Sequence, residues 1–353
     1  GNNTSLRFVN FGFNYHKSKN FNRLFSMGGA LDNMSQSFQL AQEMERYGLT
    51  ESEFNDILDA KNPYTKYWNQ LPVLGVMGVR TGVVDWFNDP EKNIHAPWGW
   101  NGFNNNFFSK ETGGISQYDF NVSFNIEDRV YLGATLGVYD VNYDRYTSYT
   151  ENLNDDKGAD NGGYTLDNYY RLEGTGMDLK LGVIVRPIES SPFRLGFAVH
   201  TPTWYDLRES YNATLSSDIL AYEKPYIQTL SDFLVTPEYD YLTYDYNLTT
   251  PWKFNVSAGT TFAGAVAVGA EYEYQDYSSS KLKDVDGYEL GDQLSVENYL
   301  KGVHTFRIGM ETRIIPEFSI RAGYNYSSAA FSKDAYSALS LYSTRTDFNN
   351  TES

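Results

Sequence analysis

Val130-Tyr131-Leu132-Gly133-Ala134-Thr135-Leu136-Gly137-Val138 is the stretch on which the fold turns. Val130, Leu132, Ala134, Leu136 and Val138 alternate with Tyr131, Gly133, Thr135 and Gly137. Period two places the first set on one face of a β-strand and the second on the other. A tilted strand of about 9–11 residues crosses a bilayer, and this stretch has that length. Upstream, across Asn125-Ile126-Glu127-Asp128, Tyr118, Phe120, Val122 and Phe124 repeat the pattern. Downstream it recurs at Met177–Val185, Phe193–Val199, Trp252–Ala258, Val266–Tyr274, Phe306–Met310 and Phe318–Tyr326. The apolar rows are expected to face lipid and their alternates a lumen.

Short connections (125–128, 187–192, 263–264, 315–317) take turns with longer polar ones (151–162, 210–240, 284–297). An outer-membrane barrel sorts its connections in this way, with tight turns on the periplasmic side and large loops outside. With one strand near 5–17 and eight after 114, the count is nine, which leaves an open sheet where an even number would close. The chain therefore reads as the interior of a longer protein, starting on the periplasmic side and ending outside.

Three regions follow: a barrel strand at 1–17, an extracellular, partly helical insertion at 18–113, and barrel strands with loops at 114–353. Within the insertion, Met34, Phe38, Ala41 and Met44 recur at helical spacing before Gly48, predicting a helix over 32–47. Thr50 and Glu53 form a capping box that predicts a second helix over 51–60, limited by Pro63.

Composition narrows the function. A net charge of −17 argues against nucleic acid as a partner. The absence of cysteine removes disulfide scaffolds, thiolate metal sites and cysteine nucleophiles. No apolar run is long enough for a membrane-spanning helix. Mean hydropathy is −0.51, but 16% of the residues are aromatic, as in a barrel whose alternate strand residues alone meet lipid.

Several segments together resemble the FadL/TodX family of outer-membrane transport proteins, in the form found in Bacteroidetes. They are Phe8–Tyr15, Asp128–Gly137, His200-Thr201-Pro202-Thr203-Trp204-Tyr205, Gly269–Ser278 and Arg321–Tyr326. The resemblance implies an all-β transmembrane barrel of about 14 strands plugged by an N-terminal hatch. It implies passive carriage of hydrophobic small molecules, fatty-acid-like or aromatic hydrocarbons, across the outer membrane of a Gram-negative cell. Measured against that pattern the chain lacks the hatch, the first two strands and the last three. The resemblance also implies lateral release beside the first strand of this chain, where Asn10, Gly12 and Asn14 interrupt the apolar pattern and Gly12 allows a kink.

Candidate site residues fall into three groups. Arg194, Lys253, Glu271, Glu273, Arg307, Glu311 and Arg321 are expected to be polar lumen residues, with a structural ion network as their simplest role. Phe38, Leu40, Met44, Leu58, Leu74, Met77, Trp86 and Trp98 form either a groove for ligand capture or a small core that folds the insertion. Asn10, Gly12 and Asn14 are the expected gate. The four histidines lack ligand spacing. Asp155, Asp156 and Asp160, like Asp284, Asp286 and Asp292, read as solvated loop acids before they read as a calcium site. No nucleophile elbow, P-loop or dinucleotide fingerprint occurs, so neither an enzyme nor a cofactor is expected. The expected partners are a hydrophobic ligand, outer-membrane lipid and other outer-membrane proteins. The last would fit a non-transporting accessory barrel that docks envelope components. A secreted glycan-binding β-sandwich is a third reading.

Overall fold

The computed structural model describes residues 6–59, 71–91, 94–155, 157–220, 226–229, 242–315 and 317–338. They form one 14-stranded antiparallel sheet, a small hairpin and a few helices. Pro63, Asp156 and Pro316 lie outside the described residues.

The sheet is built as nine long runs. The first joins β1 (Leu6–Asn20) to β2 (Arg23–Met34); both pair with β5 (Asn101–Ile126), the second run. The third and fourth runs are β6 (Val130–Asn154) and β7 (Asp160–Val185). The fifth joins β8 (Arg194–His200) to β9 (Trp204–Ser217), and the sixth joins β11 (Leu242–Thr249) to β12 (Lys253–Phe262). The seventh joins β13 (Val266–Asp276) to β14 (Lys281–Asp284), and β15 (Gly302–Ile315) and β16 (Phe318–Ser327) complete the set. A short β10 (Tyr226–Thr229) pairs with β9. β1 and β16 are the two edges.

Register makes the two faces explicit. One cross-strand row runs Val9, Phe124, Leu132, Val183, Phe197, Val256, Tyr272, Phe306, Tyr326. The next row along the strands runs Asn10, Ser123, Gly133, Gly182, Ala198, Asn255, Glu273, Thr305, Ser327. Apolar and aromatic side chains occupy every place in the first row, small or polar ones every place in the second. Phe11, Phe254, Phe306 and Ile308 are more than half exposed, which only an apolar surrounding makes favourable for a whole row. The other face is concave: Ser18 and Lys19 of the first run share a cavity with Gln275 and Tyr277 of the seventh.

The tight turns lie at one end of the sheet, called lower here. At Glu127 and Asp128 φ is 53° and 55°, and the Asn125 side chain holds Asp128 through two hydrogen bonds (2.7 and 3.0 Å). The upper connections differ from expectation. Residues 151–162 are mostly strand, because β6 and β7 climb past the apolar band and turn only at Asp155–Ala159. The segment Tyr143–Glu151 is polar on both faces, which resembles a loop in sequence but is a strand standing clear of the apolar zone.

For the same reason the segment between the first two runs is shorter than 18–113. β2 reaches Met34 and β5 begins at Asn101. What remains contains α1 (Gln36–Arg46), α2 (Glu51–Asp59), α3 (Val73–Arg80) and the hairpin β3 (Val84–Asp89) with β4 (Ile94–Gly99). Helix α1 starts at Ser35, whose hydroxyl accepts from Ser37 N–H (3.0 Å). The capping box at α2 is formed: Thr50 N–H donates to Glu53 (2.9 Å) and Glu53 N–H to the Thr50 hydroxyl (3.3 Å). The insertion packs its core onto the concave face of the upper wall, where Leu153, Tyr164, Leu166, Ala213 and Leu215 meet Leu40, Met44, Ile57 and Met77.

Candidate functional site

The concave face of the wall bounds an open cavity of about 830 Å³, lined by residues of the sheet and its connections. Its middle is apolar and aromatic: Phe21, Ile115, Val141, Tyr143, Leu172, Tyr205, Leu207 and Leu248 come from six of the runs. The insertion core covers the wall above it, with Tyr149 and Tyr211 packed against that core.

The lower limit is polar. Inward positions at one level hold Asn121, Thr135, Lys180, His200, Lys253 and Gln275. Lys180 Nζ lies 3.1 Å from Asp119 and 3.7 Å from Asp178. Tyr139 donates its hydroxyl to Asp178 (2.7 Å) and Gln117 donates to both oxygens of Asp119 (2.9 Å). Asp119 and Asp178 are both buried, so these contacts replace water. Gly137 sits between them in register. A Cβ there would collide with the Asp178 carboxylate, so the glycine makes room for the cluster.

All seven expected lumen residues lie on the concave side. Lys253 approaches Glu273 (3.6 Å), Arg307 bridges Glu273 (3.4 Å) and Glu271, and Arg321 meets Glu311 (2.8 Å). The Arg194 guanidinium stands 5.9 Å from the Tyr131 ring centre. Only Lys253 among them lines the cavity.

The eight residues of the expected capture groove are brought together, but mainly as a closed core. Leu40, Met44 and Met77 are fully buried and Leu74 nearly so. A Cβ on Gly75 would collide with Met44 and one on Gly78 with Val84, so the helices and the hairpin pack closely here. Trp86 packs against this core and against Phe54 (ring centroids 5.6 Å). Leu58 and Trp98 remain exposed, and Phe38 contacts Trp98. These residues stabilise the roof; a ligand could meet only its outer side chains.

The gate expected at Asn10, Gly12 and Asn14 is not distorted. β1 pairs with β5 without a break from Phe8↔Asn125 to Lys17↔Ser116, through Gly12↔Asn121. The irregularities fall at Leu6/Phe8 and Lys17/Lys19 instead. Regular pairing satisfies the backbone groups that face β5, β1 being an edge strand, and a Cβ on Gly12 would make only ordinary contact with Asn121 (3.8 Å).

Among the described residues no group of three His, Cys, Asp or Glu side chains is arranged for a metal ion. Asp155 instead accepts from Lys157 and Ala159 N–H (2.9 and 2.8 Å), and Asp284 from Tyr288 N–H (2.8 Å). No described helix is long and apolar enough to cross a membrane.

The insertion is fastened by a charge. Glu151, fully buried, accepts at one oxygen from Gln36 N–H (3.1 Å), Tyr149 (3.0 Å) and Tyr164 (2.5 Å). Burial pushes its carboxyl above the ordinary range, while Ser35, Tyr164, Gln36 and Tyr149 pull it back. Its position at the start of α1 adds the favourable helix dipole. Ser217 donates to the Thr81 carbonyl (2.5 Å) as a second fastening.

No family model and no curated protein matches the chain. Among solved structures it is similar to the CymD monoaromatic hydrocarbon channel, at 14% identity and a TM-score of 0.38, over 71% of this chain and 73% of that one. It is also similar to the toluene transporter TodX of Pseudomonas putida, at 14% identity and a TM-score of 0.37, over 70% of this chain and 62% of that one. The chain thus spans less than two thirds of that TodX chain.

Proposed function

We propose that the chain forms the wall and roof of a non-enzymatic outer-membrane channel for passive passage of hydrophobic small molecules, released sideways into the membrane. The observation that carries this reading is the cavity itself. An apolar, aromatic compartment lies behind a wall whose outer face is a continuous apolar band, with a charged row below and a helical roof above. Asn121 with Thr135, Lys180 with Asp119 and Asp178, and Lys253 with Glu273 hold one another in the lower row, which stays ionic and resists an apolar solute. The reading implies a Gram-negative outer membrane with its lipid as the surroundings, and it is in keeping with the resemblance to FadL/TodX proteins. Equilibrium binding of N-phenylnaphthylamine to the full-length protein, and its flux into protein-containing vesicles, test the reading. Binding in the cavity with flux above protein-free vesicles is the expected result; neither binding nor flux would leave the accessory-barrel reading in its place.

A further inference from the structure

The wall of the cavity is not hydrogen-bonded throughout. The sixth and seventh runs are paired below by Lys253↔Gln275 and above by Thr249↔Lys281. Between these limits Thr250, Pro251 and Trp252 face Asp276–Ser280, and no backbone or side-chain hydrogen bond joins the two segments. Three residues of strand correspond to about 10 Å of missing ladder. The sequence enforces the interruption: Pro251 has no N–H to give, and Tyr277–Ser279 coil into a 3-10 turn held by the Asp276 side chain, which accepts from Ser278 N–H (3.1 Å).

The neighbouring seam shows what a repaired break looks like. At Thr201–Thr203 the fifth run is also broken by a proline, Pro202. There Thr250 N–H donates to Thr203 O (3.0 Å), Thr203 N–H to the Thr250 hydroxyl (2.8 Å), and Leu179 N–H to the Thr201 hydroxyl (3.0 Å). Threonine hydroxyls restore the ladder on that side and nothing restores it on the other.

Thr250, Pro251 and Tyr277 line the cavity. On the outside Trp252 is 48% exposed, at the top of the apolar column Trp252, Phe254, Val256. Side chains alone therefore separate an apolar cavity from the upper edge of the apolar band.

We infer that the gap between Thr250–Trp252 and Asp276–Ser280 is a lateral portal, with the Tyr277 ring as its gate, through which uncharged apolar ligands pass between cavity and membrane. The inference rests on the proposed transport role and places the opening at this seam rather than at the first run, where the β1–β5 ladder is regular from Phe8 to Lys17. Unsatisfied backbone beside lipid is tolerated where it borders a cavity, as it does here.

The chain has no cysteine, so single-cysteine probes are unambiguous. Tyr277→Cys and Tyr170→Cys place a thiol on the portal side and on the opposite wall of the same cavity. In full-length protein in vesicles, pyrenyl maleimide dissolved in the lipid is expected to label position 277 at least five-fold faster than position 170. Tyr277→Ala is expected to raise N-phenylnaphthylamine flux at least three-fold, and Tyr288→Ala, at an exposed tyrosine outside the cavity, to leave it within two-fold, with heat-modifiable gel mobility confirming assembly. Equal labelling, faster labelling at 170, or equal flux changes in both alanine variants would overturn the portal. Preferential labelling at 277 with no flux in the parent would keep the portal and refute transport.

Discussion

Glu151→Ala isolates the fastening of the roof. The carboxylate is fully buried and takes all three of its hydrogen bonds at one oxygen, from Gln36 N–H, Tyr149 and Tyr164. Truncation orphans three donors. Tyr164 has a second acceptor, Gln36 Oε1 at 3.3 Å, so two remain. At about 1–3 kcal/mol for each buried unsatisfied group, the loss is about 2–6 kcal/mol. Relief of the buried charge offsets part of this, so about 2–4 kcal/mol is expected, all of it in docking of residues 35–100 rather than in the sheet. At about 1.4 kcal/mol per decade, that is an increase of roughly 30- to 700-fold in amide exchange of insertion peptides that open by undocking, with the strands near Val130–Val138 unchanged.

Glu151→Gln is the matched control. Its amide oxygen can occupy the accepting position and keep all three bonds, while the NH₂ replaces the oxygen that has no partner; a much smaller increase is expected. The pH dependence follows from the raised carboxyl of the docked state. As pH rises through the ordinary carboxylate range, the undocked form loses its proton first. Docking therefore weakens from there up to the folded-state value and is level beyond it; acidification restores it. Glu151→Gln should lack that component. Exchange of the insertion in Glu151→Ala equal to that of the parent, at any pH, would refute the anchoring role.

Leu132, in the middle of the outward apolar row, should not tolerate a charge. Leu132→Arg is expected to cost about 2–4 kcal/mol of insertion near mid-membrane, measured by urea titration in vesicles; parent-like folding would reverse the assignment of faces. Gly137→Ala is expected to displace Asp178 and lower the urea midpoint of the wall, whereas Gly12→Val should change neither assembly nor flux. Tyr139→Phe removes the donor to Asp178 (2.7 Å) and is expected to destabilise by about 1.5–3 kcal/mol, as for a hydrogen bond to a charged group; an unchanged midpoint would show that water replaces it.

What the sequence makes legible depends on which solvents a strand separates. At Val130–Val138 lipid lies on one side and small or polar neighbours on the other, so alternation is sharp and the faces can be read directly. At Tyr143–Glu151 water and the insertion replace lipid; polar residues fill both faces, and a 25-residue strand looks like strand plus loop. The helices of the insertion are legible from spacing and capping. That Leu40, Met44 and Met77 are closed core follows only from their meeting with Leu153, Leu166 and Leu215 on distant strands. The Asp119–Lys180–Asp178 cluster escapes a local search for the same reason: register assembles it from distant runs. Its one sequence signal is Gly137, an inward glycine flanked by polar inward neighbours.

The gate expected at Gly12 and the break at Pro251 differ in cause. Gly12 permits distortion without requiring it, and on the side facing β5 the ladder is regular. At Pro251 the missing N–H makes the defect obligatory whatever the neighbour offers. A ligand held above the ionic row at Lys180 and Lys253 meets charge desolvation below, the insertion core above, and seams closed by backbone or threonine hydrogen bonds from the second run to the sixth. Beside Pro251 it meets only side chains, and those can rotate without breaking a backbone hydrogen bond. The path of lowest resistance therefore follows from two prolines and their unequal repair: threonines close the break at Pro202, and nothing closes the one at Pro251.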